Sequence, residues 1–259
     1  MPDSGSTPPA ASSSELAFAR DLMVETGKLT LRWFGQAELE VDDKSDGTPV
    51  TEADLAAERF VRERLAVAAP ADSVVGEEED DTHGTSERRW YVDPIDGTHG
   101  FTKGVPLYAN LLALYDSFGP VLGVINLPAT SEVVYAGRGL GCFCNGELVS
   151  VSQTSALSEA LVTASGYEYF PEELLGAVRR SGASMRTWGD GYGYAMVASG
   201  RADVMVDYGV SPWDLAPIPV ILSEAGGRFS SWTGDPGIDS PTGLGSNGLL
   251  HDEVLALMA

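Results

Sequence analysis

The chain has 259 residues, 43% apolar and 21% charged, which suits one large α/β domain or two small ones and excludes a disordered polymer. Against 38 acidic residues stand 16 basic ones, a net charge of −22 that disfavours nucleic acid and anionic membranes as partners. A phosphate site on such a chain needs local cations, which bound metal ions would supply; the same acidity also suits a solvated surface or high salt.

Residues 1–14 are rich in Pro, Ser, Ala and Thr, with no basic start and no apolar run, and read as a disordered arm rather than a signal peptide. No stretch approaches the roughly 18 apolar residues of a membrane span. Glu15 to Phe34 is predicted helical, with Leu16, Leu22, Met23 and Leu29 near one face and Gly27 weakening the middle. Lys44 to Pro49 is a polar loop. A second amphipathic helix then runs to about Ala66 with Ala57, Val61 and Leu65 inward, and Thr51-x-x-Asp54 at its start has the capping-box pattern. Ser73 to Gly76 is a short buried strand leading into Glu77, Glu78, Glu79, Asp80 and Asp81. Such a run is ordinarily a solvated loop, yet it begins at a strand end, where α/β proteins place their chemistry.

Strands are expected from Trp90 to Val92, Leu107 to Tyr115, Val121 to Leu127 and Glu132 to Ala136, then a hairpin turning at Asn145-Gly146 with a type I′ turn. This middle section reads as antiparallel sheet. Cys142 and Cys144 read as reduced thiols of a cytosolic protein, and His83, His99 and His251 are too scattered to suggest zinc. Next come a strand at Leu161 to Ala164, a helix from Pro171 to Ser181, a helix from about Tyr192 to Ser199, and a strand from Ala202 to Tyr208. Asp214 reads as the N-cap of a helix ending at Glu224 before Gly226-Gly227, with Pro219 distorting its first turns. Arg228 to Ser231 is the final expected strand, followed by a loop and a closing helix from His251 to Met258.

The chemistry concentrates in Asp93-Pro94-Ile95-Asp96-Gly97-Thr98. Pro94 fixes its own φ and pushes Asp93 toward extended backbone, so the chain leaves the strand stiffly and both carboxylates can converge at its end. Hard oxygen ligands on a rigid turn suit Mg²⁺. Gly97 and Thr98 could offer backbone N–H groups to an anion, and metals beside an anion cradle point to phosphoryl transfer. Alone, the same residues also make an ordinary surface turn. An EF-hand is disfavoured because its twelfth position would be Gly104 rather than Glu.

Taken together, Asp54, Glu77, Asp93, Asp96 and Asp214 place acids at element ends from four separate segments. In order and spacing, Thr51-Glu52-Ala53-Asp54, Gly76-Glu77-Glu78, Asp93 to Thr98 and Trp213-Asp214-Leu215-Ala216 resemble the inositol monophosphatase superfamily, from about Glu15 to the C-terminus. Within it the chain is most similar to the histidinol-phosphate phosphatases, through Lys44 to Thr51, Trp188-Gly189-Asp190 and Ser246 to Glu253. The resemblance implies a layered αβαβα sandwich, an α/β (α+β) fold forming a single phosphatase domain over 15–259 with halves meeting near residue 151. It implies two or three Mg²⁺: one held by Glu77, Asp93 and the Ile95 carbonyl, a second by Asp93, Asp96 and Asp214, and a looser third near Glu77. Asp54 and Thr98, with Glu77, would serve the attacking water. Gly97 and Thr98 would hold the phosphate; Asp190, Asp207 and Asp214 would lie by the rest of the substrate.

The implied protein is a cytoplasmic homodimer that hydrolyses a small phosphate ester, histidinol phosphate first and inositol or another sugar or cyclitol phosphate second. From other classes, a catalytically silent metal-binding protein on the same fold, or an acidic interaction module with capping aspartates, would use many of the same residues. Asp190 could equally cap the following helix, and Asp207 could take a hydroxyl or an amine. Family members often carry Lys-Asn or Thr-Asn where this chain has His99-Gly100, and among Glu77, Glu78 and Glu79 the motif position favours Glu77 as the acid facing the metal.

Overall fold

A computed structural model describes residues 7–36, 41–43, 49–166, 170 and 172–258. Helix α1 (Ser13–Thr30) buries Leu16, Ala19, Leu22, Met23, Thr26 and Thr30, a single face at helical spacing, and runs unbroken through Gly27. It begins within the stretch expected to be a disordered arm. Ala11, just before it, is buried and donates its N–H to the Arg138 carbonyl at 2.8 Å, so this end of the arm is tied down. Strands β1 (Val41–Asp43) and β2 (Pro49–Thr51) pair antiparallel. The polar loop expected between them lies at 44–48, outside the described residues. Helix α2 (Glu52–Ala68) buries Ala53, Ala57, Val61 and Leu65, every fourth residue, and a second buried row one position on, Asp54 and Glu58.

The next elements are β3 (Ser73–Gly76), β4 (Arg89–Asp96), the short helix α3 (Thr98–Thr102), β5 (Ala109–Asp116), β6 (Gly119–Leu127), β7 (Glu132–Gly137), β8 (Gly141–Cys144) and β9 (Glu147–Leu148). The seven strands pair in sequence order, β3 parallel to β4 and the rest antiparallel, as the pattern of the middle section predicts. Asn145 and Gly146 have φ of 50° and 91°, the two left-handed residues of a type I′ turn. Strand β5 is buried on both faces: Leu112 and Leu114 pack toward α1 and α2, Leu111 and Ala113 toward the other side.

The second half contributes β10 (Leu161–Ala164), α4 (Glu172–Ser181), β11 (Ser184–Arg186), α5 (Asp190–Ala198), β12 (Val204–Tyr208), α6 (Pro212–Leu215), α7 (Ile218–Glu224), β13 (Arg228–Ser230), β14 (Thr242–Ser246) and α8 (His251–Ala256). Their sheet has the order β11-β10-β12-β14-β13, with β11, β10 and β12 parallel and β14 antiparallel to both neighbours. Strand β14 corrects the reading of this stretch as a loop. Its Thr-Gly-Leu-Gly-Ser sequence carries no β signal because a Cβ at Gly243 would lie 2.2 Å from the Tyr194 hydroxyl and one at Gly245 2.8 Å from Leu222. The helix expected through Trp213 to Glu224 is two, broken where Pro217 and Pro219 remove N–H donors.

From one side to the other the layers are α1 and α2, the seven-stranded sheet, α5 and α7, the five-stranded sheet, then α4 and α8; one apolar cluster fills both sides of the central helices and one fills each outer interface. The expected five-layered αβαβα sandwich is therefore the observed one. Among the described residues no helix is long and apolar enough to cross a membrane.

Candidate active site

Strand β4 does not end at Val92. It continues through Asp96, with Asp93 opposite Leu111 and Asp96 opposite Ala109. Between those pairs Pro94 and Ile95 stand against Asn110 alone, two residues against one. On a regular strand, residues three apart face opposite ways; the extra residue of this bulge turns Asp93 and Asp96 to one side. Pro94 is tolerated there because a bulge leaves its missing N–H unneeded. The stiff turn predicted from the sequence is thus a bulged strand. A buried amide pair braces it: Asn110 donates to the Pro94 carbonyl at 2.6 Å, and the Asn126 amide donates to Asn110 Oδ1 and the Met23 carbonyl, both at 2.9 Å. No spacing or motif singles out these two asparagines.

Asp214 is the third residue of α6, not its N-cap; Ser211 holds that position and donates its N–H to Asp214 Oδ2 at 2.7 Å. Asp93, Asp96 and Asp214 each bring a carboxylate oxygen within 4.8 Å of the others. Glu77 lines the same cleft, of about 640 Å³, together with Ile95, Gly97, Thr98, Asp190 and Asp207. Glu78, Glu79 and Asp80 instead line a separate cleft of about 810 Å³ beside α2, and Glu79 pairs with Arg59 at 2.7 Å. The five-acid run therefore divides, with Glu77 on one side of the loop and Glu78 to Asp80 on the other.

Asp54 takes the capping role that its place at the start of α2 allows. Its Oδ2 closes the capping box, accepting from Thr51 N at 2.8 Å and Thr51 Oγ1 at 2.5 Å. Its Oδ1 is buried without a partner, as is Asp93 Oδ1. The Thr98 hydroxyl donates to the Ile95 carbonyl at 2.8 Å, and Gly97 precedes it at φ 81° as the N-cap of α3. At the other end of the cleft, Asp190 follows the N-cap Gly189 as the first residue of α5, with φ 54°, and Gly191 donates its N–H to Asp96 Oδ2 at 2.5 Å. Ser165, at the end of β10, accepts from Asp190 N at 2.9 Å and donates to Asp207 Oδ1 at 2.8 Å. Ser165, His99 and Tyr208 also line the cleft and were not predicted. A strand-end position marks Ser165 in the sequence, but only the Asp190 contact reveals its place.

Burial, reinforced by repulsion from Glu77 and Asp214, pushes the Asp93 carboxyl well above the ordinary range. Burial does the same to Asp96, beside Asp190 and Asp214. It raises Asp54 to about 6, Asp214 to about 7 and Asp207 to about 8. Among the described residues lining the cleft there is no lysine or arginine. Acids this close, with two buried oxygens unpartnered, cannot all ionise on the protein's own resources. Carboxylates and a carbonyl are the donor set of a hard divalent cation, so the residues present fit one.

A model of the inositol monophosphatase family matches residues 12–258. Histidinol-phosphatase of Chlorobaculum parvum is 42% identical over 89% of this chain and 90% of its own length. Histidinol-phosphatase of Mycobacterium tuberculosis is 37% identical over 94% of this chain and 97% of its own. Among solved structures, an IMPase of Thermotoga maritima superposes with a TM-score of 0.87 at 31% identity, covering 95% of this chain and 96% of that one. With the family match covering nearly the whole chain and relatives above 30% identical over most of both lengths, the chain belongs to the inositol monophosphatase family of phosphatases.

Proposed function

We propose that this enzyme is a Mg²⁺-dependent phosphatase that hydrolyses L-histidinol phosphate to L-histidinol and phosphate, a step of histidine biosynthesis. The observation that carries the reading is the convergence of Asp93, Asp96 and Asp214 within 4.8 Å, with Asp93 Oδ1 buried and unpartnered. In it, Glu77, Asp93 and the Ile95 carbonyl hold one ion, Asp93, Asp96 and Asp214 a second, and Glu77 a looser third. When bound, the ions offset the charge of the phosphoryl group, lower the pKa of water and stabilise the leaving oxygen.

The protein's own residues do the rest by positioning. The Thr98 hydroxyl spends its proton on the Ile95 carbonyl, so its lone pairs are left to accept from a water. Asp54 Oδ1 is the second acceptor, and the Thr51 bonds to Oδ2 hold that carboxylate still. A water donating to both loses one proton toward Asp54 as its oxygen attacks phosphorus. The ester P–O bond breaks on the opposite side, and the departing alkoxide is protonated from solvent. The N–H groups of Gly97 and Thr98 are assigned to the phosphate oxygens.

Asp190 and Asp207, linked through Ser165, line the far end of the cleft with carboxyl groups that a cationic amine or imidazole would draw into the charged form, which suits an alcohol carrying those groups better than a neutral cyclitol. The names of the relatives support the same choice. A second reading, inositol monophosphate, is supported by an inositol-1-monophosphatase of Rhizobium meliloti that is 35% identical over 78% of this chain. The single phosphatase domain over 15–259, the cytoplasmic location and the homodimer rest on family resemblance. Phosphate release from a panel of esters in Mg²⁺ tests the proposal: kcat/KM should be highest for histidinol phosphate. Faster turnover of inositol phosphate would replace the substrate, and no release from any ester would leave a silent metal-binding protein.

A further inference from the structure

Helix α2 sends three polar side chains down one flank, Asp54, Glu58 and Arg62, each four residues from the last. Asp54 is not among the residues lining the cleft but lies close enough to Glu77 for that charge to help raise its carboxyl. The other two do not reach the cleft, yet Glu58 is fully buried, and Arg62 is 12% exposed at the side chain. Burying that carboxylate demands partners, and the structure supplies a full set. Glu58 Oε2 accepts from Glu78 N at 2.8 Å; Oε1 accepts from Glu79 N at 3.1 Å and from Arg62 Nε at 2.8 Å. Arg62 continues outward, donating to the Glu79 carbonyl and to Thr82 Oγ1, both at 3.0 Å.

Three of these four bonds from α2 to the loop go to backbone atoms and the fourth to Thr82 at its far end, and they begin at the residue after Glu77. The residue before Glu77 is held as closely. A Cβ on Gly76 would lie 2.1 Å from Glu58 Oε1 and 2.8 Å from Arg62 Nη2, so only glycine lets β3 pass. Glu77 therefore sits between two backbone contacts to one buried carboxylate. Left to itself, a run of five acids repels itself and takes an extended, solvated course. Here a helix residue bonds the backbone just after the first acid and packs against it just before, while Arg59 and Arg62 draw Glu79 to the α2 side.

We propose that Glu58, seconded by Arg62, is a positioning residue for the cation site. It fixes the backbone at Glu77 and so keeps that carboxylate on the cleft with Asp93 and Asp214. The proposal rests on the reading of Glu77 as a metal ligand and extends it to a residue that touches neither metal nor substrate. Supports of this kind typically change metal affinity by about 10- to 100-fold.

The test is a cycle of E58Q, E77Q and the double variant in the full chain. Free Mn²⁺ is followed by its electron paramagnetic resonance signal, kcat is measured at saturating Mg²⁺, and E132Q, which breaks a remote ion pair with Arg201, is the control. Glutamine keeps the size and one acceptor of Glu58 but turns an N–H toward donors. We expect E58Q to weaken Mn²⁺ binding about 10-fold or more, with kcat recovered within a few-fold at saturation, and to add little to E77Q. E132Q should bind as the wild type does. An E58Q protein that binds Mn²⁺ normally, or whose loss is undiminished in the E77Q background, overturns the positioning role while leaving the ligand reading intact. Normal binding by E77Q overturns the ligand reading, and the positioning role with it. Should E58Q fail to fold, R62K, which keeps the charge but loses the fork, goes through the same cycle with the same outcomes.

Discussion

His251 and the acidic cleft are two ways of burying ionisable groups in one molecule. His251 lies fully buried at the start of α8, with Nε2 3.0 Å from Ser230 Oγ and Nδ1 2.9 Å from Ser246 Oγ. Ser230 Oγ already donates to the Ser231 carbonyl at 2.7 Å, so Nε2–H donates to it and Nδ1 accepts from Ser246. Every polar atom is paired and the ring is neutral; burial pulls its pKa down to about 4. The cleft is the opposite case, with Asp93 and, close to Glu77, Asp54 each carrying a buried oxygen that no protein atom satisfies. A closed polar network stabilises the fold alone. An open one raises the free energy of the empty protein and reserves that energy for a cation.

The contrast breaks most sharply at Asp93. Asp93→Asn should lower kcat/KM by about a thousandfold or more, since in the proposed reading Asp93 would be a ligand to both ions, which would supply several kcal/mol of transition-state charge stabilisation. In EDTA the same protein should melt no lower than the wild type, because repulsion with Glu77 and Asp214 has been relieved. A variant that is inactive because it is unfolded would refute this.

The pH dependence separates the two regions by sign. In metal-free protein, Asp207 near 8, Asp214 near 7 and Asp54 near 6 keep protons that the unfolded chain, with carboxyls near 3.8, has released. Their contribution therefore rises as pH falls from 8 through 6. His251 acts the other way: the unfolded ring protonates near 6.5 and the folded one only near 4, so its contribution falls across that window. The full change is up to about 3 kcal/mol. Urea midpoints against pH should show wild type gaining less than His251→Gln below pH 6.5. Identical curves would mean that His251 titrates freely in the fold.

Mg²⁺ at a hundred times its dissociation constant should add about 2.7 kcal/mol to stability at pH 8 and flatten the gain between pH 8 and 6.5. An unchanged melting midpoint would leave the cleft without its cation. The smallest expected effect lies at the specificity end. Asp190→Ala should raise KM for histidinol phosphate about tenfold, the worth of one charge-assisted hydrogen bond, and change KM for a neutral-alcohol phosphate less. Equal changes for both esters would remove Asp190 from recognition.

Much of this protein was legible one segment at a time. Helices α1 and α2, the antiparallel middle strands and the Asn145-Gly146 turn follow from periodicity and turn chemistry, which are local; the acids of the cleft were picked out by motifs whose order resembles a known family. What the sequence could not settle was what two distant segments do to each other. The bulge that turns Asp93 and Asp96 to one side is defined by Leu111 and Ala109 on the neighbouring strand. Glycines hid β14 because the reason for them, Tyr194 and Leu222, lies elsewhere in the chain. Which acid of the run 77–81 meets the cleft was decided by α2, through Glu58 and the arginines beside it. Residue type sets which chemistry is possible, but the direction of a carboxylate depends on backbone hydrogen bonds and close contacts across the fold, and these exist only once the layers have packed.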